Sequence, residues 1–454
     1  MGGNNADENA IHQSIEHKIC LFLILYLRMY RRILAASIIR MLQSIKALVF
    51  NPHFILVVFV ALGVIASVQG IMLGLHEFHM PKVFPADIMN RPEYMNQFIG
   101  RQLTEYNNYV IFKQSFFHLV HGTDLYGLYP AEHWDFFKYS PTFALFMGSL
   151  AYLPDILGLS IWNVLNAITV FFAIRMLPVS VRKQCLVLWF ITMELLTCLQ
   201  NNQSNGLMCG LIIAAYGCME QRKVLLATLW LVLAMYIKVY GAIGFCLFLF
   251  YPDKIKFILY SILWTVLFAA LPLLVTPLHT LIWQYQNWAG LMIADAAAAR
   301  GISVAGWLYS WFGIENVKAA VTGIGLVLFL VPFVRFRLYS NEVFKLLILA
   351  SMLIWVIIFN HKAESSTFII AVAGVAIWYF IRPKATWRTV LFWTVFIFTS
   401  LSTTDIFPMY VRQHFIYVYK IKAVPCILAW CAVFIELMLV KPTARIADNA
   451  EVVE

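Results

Sequence analysis

The chain alternates between long apolar runs and short polar islands. The first unbroken run, about residues 53–75 (HFILVVFVALGVIASVQGIMLGL), is long enough to cross ~30 Å of hydrocarbon as a helix. Similar runs fall near 157–177, 185–200, 206–220, 224–237, 240–251, 257–276, 319–334, 346–360, 367–381, 389–403 and 423–440. Each reads as a membrane helix. The segment 140–153 is apolar but short and lies between Pro141 and Pro154-Asp155, which predicts a re-entrant or interfacial helix. A polar, aromatic stretch, 76–139, separates the first span from the rest. Within it Ile111, Phe112, Ser115, Phe116 and Leu119 recur at helical spacing, and His121-Gly122 should end that helix. Its apolar stripe would rest on the headgroup boundary.

Charge gives these spans a direction. Lys and Arg cluster between apolar runs, as in Arg182-Lys183, Arg222-Lys223 and Lys254/Lys256, the pattern of cytoplasmic helix ends. Residues 1–52, 178–184, 221–223, 252–256, 335–345, 382–388 and 441–454 are therefore expected inside. The segments 76–139, 201–205, 277–318, 360–366, 404–420 and the point around Lys238 are expected outside. The plan is an all-α polytopic membrane protein with one domain, 53–440. A cytoplasmic segment, 1–52, precedes it and a cytoplasmic tail, 441–454, follows. Met41 reads as a natural start, so residues 1–40 are expected to be dispensable.

Composition agrees. Apolar residues make up 62% of the 454 and charged residues 12%, against roughly 45–50% and ~25% in soluble domains. A soluble enzyme or disordered scaffold could not hide that much apolar surface. The net charge of +10 is spent on helix ends, so no nucleic-acid partner is expected; the partner is the lipid bilayer. Eight cysteines form no CxxC pair, and no acidic set with metal-ligand spacing appears, so neither zinc site nor other metal is expected.

The scarce polar residues gather in the external islands. The first loop carries Glu105, Asn107, Asn108, Asp124, Glu132, His133 and Asp135; a second island is NNQSNG, 201–206, with Gln203 and Asn205. Lys238 stands in an apolar run, where a charge is costly unless it meets water or a partner. NHKAESS, 360–366, supplies His361 and Glu364, and the loop 277–318 is rich in Trp and Tyr. Rings with interspersed amides suit a sugar, which offers an apolar face and hydroxyl edges. Together these islands describe an external cavity roofed by two aromatic loops.

The segments NNYVIFKQSFFHLVHGTDLYGLYP, FKYSPTFALFMGSLAYLP, IWNVLN, NNQSNGLMCGLIIAAY and MYIKVYG occur in that order over residues 50–400. In this they resemble the integral-membrane glycosyltransferases of the GT-C fold, specifically glycosyltransferase family 87. That family includes polyprenyl-phosphate-mannose-dependent α-mannosyltransferases. The resemblance implies an inverting hexosyltransferase in the plasma (inner) membrane, with its site on the non-cytoplasmic face. It implies a lipid-linked sugar donor and a glycan or glycolipid acceptor; no cofactor is implied beyond the donor itself. It carries over Gln203 and Asn205 as cavity residues and Lys238 for the donor phosphate, with Asn107, Tyr139, His361 and Glu364 as further substrate contacts. In the family a first-loop aspartate is the base. Here the matching residue is Asn108, which cannot accept a proton usefully. Glu105 is the first candidate for a displaced base and Asp124 the second, with Glu132 also in reach; alternatively the chain binds a lipid-linked glycan without reacting it. A carrier or flippase of lipid-linked sugars is the competing reading, although the paired broken-helix repeats of carriers are not seen.

Overall fold

The structure, a computed structural model, describes residues 43–77, 102–298 and 300–446, with isolated positions between 30 and 41. The apolar stretch Ile19–Leu27, the middle of the first loop and the end of the tail lie outside the described residues. The chain divides into two compact units, 1–54 and 55–454. The second is a bundle of helices and the first is helical over its described residues 43–49.

The helices are α1 (Pro52–Leu73), α2 (Asn107–His121), α3 (Pro141–Ala151), α4 (Asp155–Arg175), α5 (Val181–Gln200), α6 (Asn205–Glu220), α7 (Val224–Ile237), α8 (Lys254–Ala270), α9 (Leu278–Ala298), α10 (Val304–Phe312), α11 (Lys318–Leu330), α12 (Glu342–Ile358), α13 (Phe368–Ile381), α14 (Thr386–Val395) and α15 (Val424–Leu439). A 3-10 helix, Val239–Phe250, follows α7. The spans expected from hydropathy are all present, and α7 coincides with its predicted bounds. Among the described residues four helices are long and apolar enough to cross a bilayer on their own: Pro52–Leu73, Asp155–Arg175, Lys254–Leu274 and Ile421–Leu439.

Burial sorts these helices into centre and rim. Every residue of α6 from Asn205 to Met219 is buried, as is α13 from Phe368 to Trp378. A helix apolar all round needs protein or lipid on every side, and these two have protein. By contrast α8 buries only Phe257 and Phe268. It turns Ile255, Val266 and Leu267 outward, and α1 does the same with Val64, Ile65 and Met72. Such a continuous apolar rim is what hydrocarbon requires. The molecule is a polytopic helical membrane protein.

Helix α2 fulfils its periodicity. It runs to His121, and Gly122 adopts a left-handed conformation (φ 67°) that closes it through bonds to His118 and Leu119. Helix α3 has 11 residues, so at 1.5 Å per residue it is ~16 Å long, too short to span ~30 Å. Its N-cap, Ser140, donates to the Tyr236 carbonyl (2.6 Å) at the end of α7. Beyond its other end, Leu153 and Asp155 take bonds from Lys113 of α2 (3.3 and 2.7 Å).

The structure departs from expectation at 277–318. What reads as a loop is mostly helix, α9 and α10. Gln284, Gln286 and Asn287 lower the hydropathy of this stretch, but its long side chains and alanine run favour helix. A two-stranded antiparallel ribbon, Leu75–Glu77 with Gln102–Thr104, was also not foreseen; it pairs Leu75 with Thr104.

The segments expected inside contact one another. Lys345 pairs with Glu220 (2.5 Å), Arg382 and Arg388 with Glu436 (2.6 and 2.5 Å), and Asn341 reaches the Pro442 and Ala444 carbonyls. Those expected outside do likewise. Asn108 bonds the Asn201 carbonyl (2.9 Å), Asn205 bonds Ser366 (3.2 Å) and Asp124 accepts from Asn287 (3.1 Å). The loops thus sort into two ends of the bundle.

Candidate active site

The site is built around the loop 201–204 between α5 and α6. Asn202 holds a left-handed backbone (φ 52°), a conformation asparagine tolerates better than most residues. Buried side chains of α4 fix the loop from below. Trp162 Nε1 donates to the Asn202 carbonyl (2.9 Å) and Asn163 Nδ2 to Asn202 Oδ1 (3.4 Å). Asn166 Oδ1 accepts from the Leu207 amide (2.8 Å). This is the structural content of IWNVLN: three polar side chains on a buried helix face, each committed to the neighbouring loop and helix start. On the other side Cys198 Sγ accepts from the Gly206 amide (3.3 Å).

Above this platform stands Lys238. It is the extended residue (φ −139°, ψ 124°) between α7 and the 3-10 helix, outside both. The 3-10 helix repeats every three residues, and its buried positions Gly241, Gly244, Leu247 and Phe250 follow that period. A Cβ on Gly241 would lie 2.7 Å from the Ala234 backbone, so glycine permits the close fold-back that aims Lys238 at the loop.

Lys238 Nζ donates to Asn205 Oδ1 (2.7 Å) and to Gln203 Oε1 (3.4 Å). Its ammonium lies 5.6 Å from the ring of Tyr139 and 6.0 Å from that of Tyr240, within cation–π range. Tyr139 hydroxyl donates to Gln203 Oε1 (3.2 Å), Tyr240 hydroxyl to Asn205 Oδ1 (3.3 Å), and Asn205 Nδ2 to Ser366 Oγ (3.2 Å). Among the described residues no carboxylate forms an ion pair with Lys238. Glu364, two residues before Ser366, is the carboxylate that acts on it. Burial pushes the Lys238 ammonium down to about 8, with Glu364 opposing. Burial likewise raises the Glu364 carboxyl, with Lys238 opposing. Glu364 is exposed, as a group at the mouth of an opening is.

Beside Tyr240 an apolar groove of about 290 Å³ runs between the 3-10 helix and α12, lined by Ala242, Ile243, Trp355, Val356 and Phe359, with Asn360 and His361 at one end. The backbone of His361 packs against Gly301. His361 thus stands at the groove.

The remaining first-loop residues hold the roof. Asn107 Oδ1 accepts from the Trp134 amide (3.1 Å). Asp124 caps the Tyr126 amide (3.0 Å) and accepts from Asn287 of α9 (3.1 Å). Gln284 bridges Thr123 and Leu125 (2.6 and 3.1 Å). Glu132 faces His118 (3.1 Å), whose ring stacks on Tyr129. His133 is buried, and burial pushes it down to about 4, so it is neutral near pH 7. Glu105 is exposed in the turn before α2 and is not among the charges acting on Lys238 or Glu364.

The structure therefore brings together Tyr139, Gln203, Asn205, Lys238 and Glu364; Asn108 holds the start of the same loop through the Asn201 carbonyl, and Glu105, Asn107 and Asp124 lie elsewhere. Sequence reasoning missed Tyr240 and Ser366. Tyr240 was legible in principle: an extended Lys238 puts residues i and i+2 on one side. Among the described residues no group of three His, Cys, Asp or Glu is placed to hold a metal ion.

A cation held by neutral amides, flanked by aromatic rings and opposite a carboxylate, can receive an anionic leaving group and a sugar. No curated protein matches the chain. The family model described as glycosyltransferase family 87 matches residues 136–404. That stretch is more than half of the chain and contains the whole Lys238 cluster. The chain belongs to glycosyltransferase family 87.

Proposed function

We propose that this glycosyltransferase moves a hexose, mannose by its family resemblance, from a polyprenyl-phosphate donor to a hydroxyl of a glycan or glycolipid. The observation that carries this reading is Lys238. Its charge is held by Asn205 and Gln203 oxygens (2.7 and 3.4 Å) and not by a carboxylate, so it is available to an anion. A phosphate leaving group gains charge as the glycosidic bond breaks, and a preorganised cation stabilises that charge. The apolar groove beside Tyr240 supports a lipid-linked donor: a phosphate on Lys238 would trail its first isoprene units past Tyr240 into the groove. The rings of Tyr139 and Tyr240 offer apolar faces to the hexose. In-line attack from the opposite side inverts the anomeric centre.

The cluster is assigned to the non-cytoplasmic side of the plasma membrane. The support is the segregation of loops, with the basic clusters gathered at the end opposite Lys238.

The test is transfer of radiolabel from polyprenyl-phosphate-mannose to a pool of membrane glycolipids by the full-length protein in vesicles. Labelled glycolipid is the expected product. Label that crosses the bilayer on its original lipid would identify a carrier instead, and tight binding with neither result a non-catalytic binder. A cysteine at position 203 should react with an impermeant reagent from the non-cytoplasmic side only.

A further inference from the structure

We propose that Glu364 is the general base that takes the acceptor's proton; this rests on the transfer reading above. The family's first-loop aspartate is Asn108 here, and that side chain is already engaged as a donor to the Asn201 carbonyl (2.9 Å). Glu364 stands two residues before Ser366, which accepts from Asn205 Nδ2 (3.2 Å), and the same Asn205 accepts from Lys238 Nζ (2.7 Å). Among the described residues no ion pair joins Lys238 and Glu364; Lys238 is held by the Asn205 and Gln203 oxygens. A donor phosphate at Lys238 and an acceptor hydroxyl at Glu364 would flank the anomeric carbon from opposite sides, as in-line displacement requires.

The backbone around Glu364 is fixed for such a task. Its carbonyl accepts from Thr367 Oγ1 (2.6 Å) and from the Thr367 amide (3.1 Å). The adjacent Ala363 carbonyl accepts from the Ile302 amide (2.7 Å), and Ser366 is tied to Asn205 (3.2 Å). The same Asn205 holds Lys238, so one amide sets the spacing of acid-stabilising and base groups. Asp135 is less suited: it caps the Phe136 amide (2.7 Å) and pairs with Lys138 (3.1 Å).

The step balances. An acceptor oxygen lone pair forms the new bond to the anomeric carbon while that carbon's bond to the phosphate oxygen breaks. The bonding electrons leave on the phosphate, next to Lys238, and the acceptor proton passes to a Glu364 oxygen.

The charged groups facing Glu364 are Lys238 from the break after α7, Lys138 and Asp135 from the loop before α3, and Lys362 from its own loop. Burial outweighs the lysines and raises its carboxyl. A base must be deprotonated, so kcat/KM should fall as pH drops through a value above the ordinary carboxylate range. Lys238 must be charged, so kcat/KM should also fall as pH rises through about 8.

The experiment uses the full-length protein in vesicles with labelled polyprenyl-phosphate-mannose. Glu364→Gln should lower transfer by about 10²–10⁴-fold, leave donor binding within about threefold and abolish the acid limb. Azide attacks without a proton to lose. It should therefore restore release of polyprenyl phosphate by the variant, yielding the inverted glycosyl azide. Glu364→Asp, which keeps the carboxylate, should retain measurable transfer with its acid limb. The inference is overturned if Glu364→Gln transfers normally, if azide does not rescue it, or if Glu105→Gln shows the azide-rescued loss instead. A wild-type protein that transfers label to no acceptor would overturn the transfer reading itself, and the inference with it.

Discussion

Two sites at opposite ends of the bundle use charge in different ways. At the end away from Lys238 two carboxylates are each answered by cations. Glu220 is held by Lys345 and by the Tyr251 hydroxyl (both 2.5 Å), and Glu436 sits between Arg382 and Arg388. Within the bundle Glu194 and Lys422, both almost fully enclosed, pair at 2.8 Å. At the Lys238 end the cation is held by amides and hydroxyls, and its carboxylate counterpart stands off. A charge paired internally is committed to the fold, because removing one partner strands the other in a medium that cannot solvate it. A charge held by neutral dipoles is only partly compensated and can still exchange one of them for a ligand's charge.

Breaking each kind of site should therefore give opposite phenotypes. The largest effect on stability is expected from Lys422→Met, which leaves Glu194 uncompensated at a cost of about 3–5 kcal/mol. The denaturation midpoint in detergent reads it, and the double variant Glu194→Leu/Lys422→Leu should recover most of the loss. Lys238→Met should do the reverse, reducing transfer by about 10²–10³-fold while the denaturation midpoint hardly moves. A large drop in midpoint for Lys238→Met would place it among the structural charges. The smallest effect sharpens the comparison at Asn108, where the sequence reading expects the family's aspartate. Asn108→Asp should not raise transfer, and should lower it by less than about tenfold. An aspartate there sets an acceptor against the Asn201 carbonyl and loosens the loop that carries Gln203. A gain of activity would return the base to the first loop.

Much of this was legible before any coordinates. The spans appear as hydropathy runs because lipid enforces apolar side chains over each crossing, and α7 could be bounded to the residue by Arg222-Lys223 before it and Lys238 after it. Gln203, Asn205 and Lys238 stood out for the same reason: polar groups between apolar spans are rare enough to notice. Helix α9 did not show, because its glutamines and tryptophans mimic a loop at the membrane surface. The 3-10 form of Val239–Phe250 left no trace either, since an apolar run without polar punctuation carries no period. Asp124 attracted attention as a carboxylate, yet its acceptor oxygen is spent on Tyr126 and Asn287; sequence shows which groups are present and not which are already engaged.

The length of α7 has a consequence for the membrane itself. Its 14 residues rise only ~21 Å, short of the ~30 Å hydrocarbon thickness. On the proposed reading, with α7 starting at the opposite headgroup plane, Lys238 at its end would sit below its own headgroup plane, or the bilayer would dimple inward to meet it. In either case a lipid phosphate bound there would be drawn down from its neighbours' level, and its sugar would be withdrawn from bulk water before any bond is broken. Substrate recognition would then begin as a local thinning of the leaflet, and transfer should respond to the acyl-chain length of the surrounding lipids.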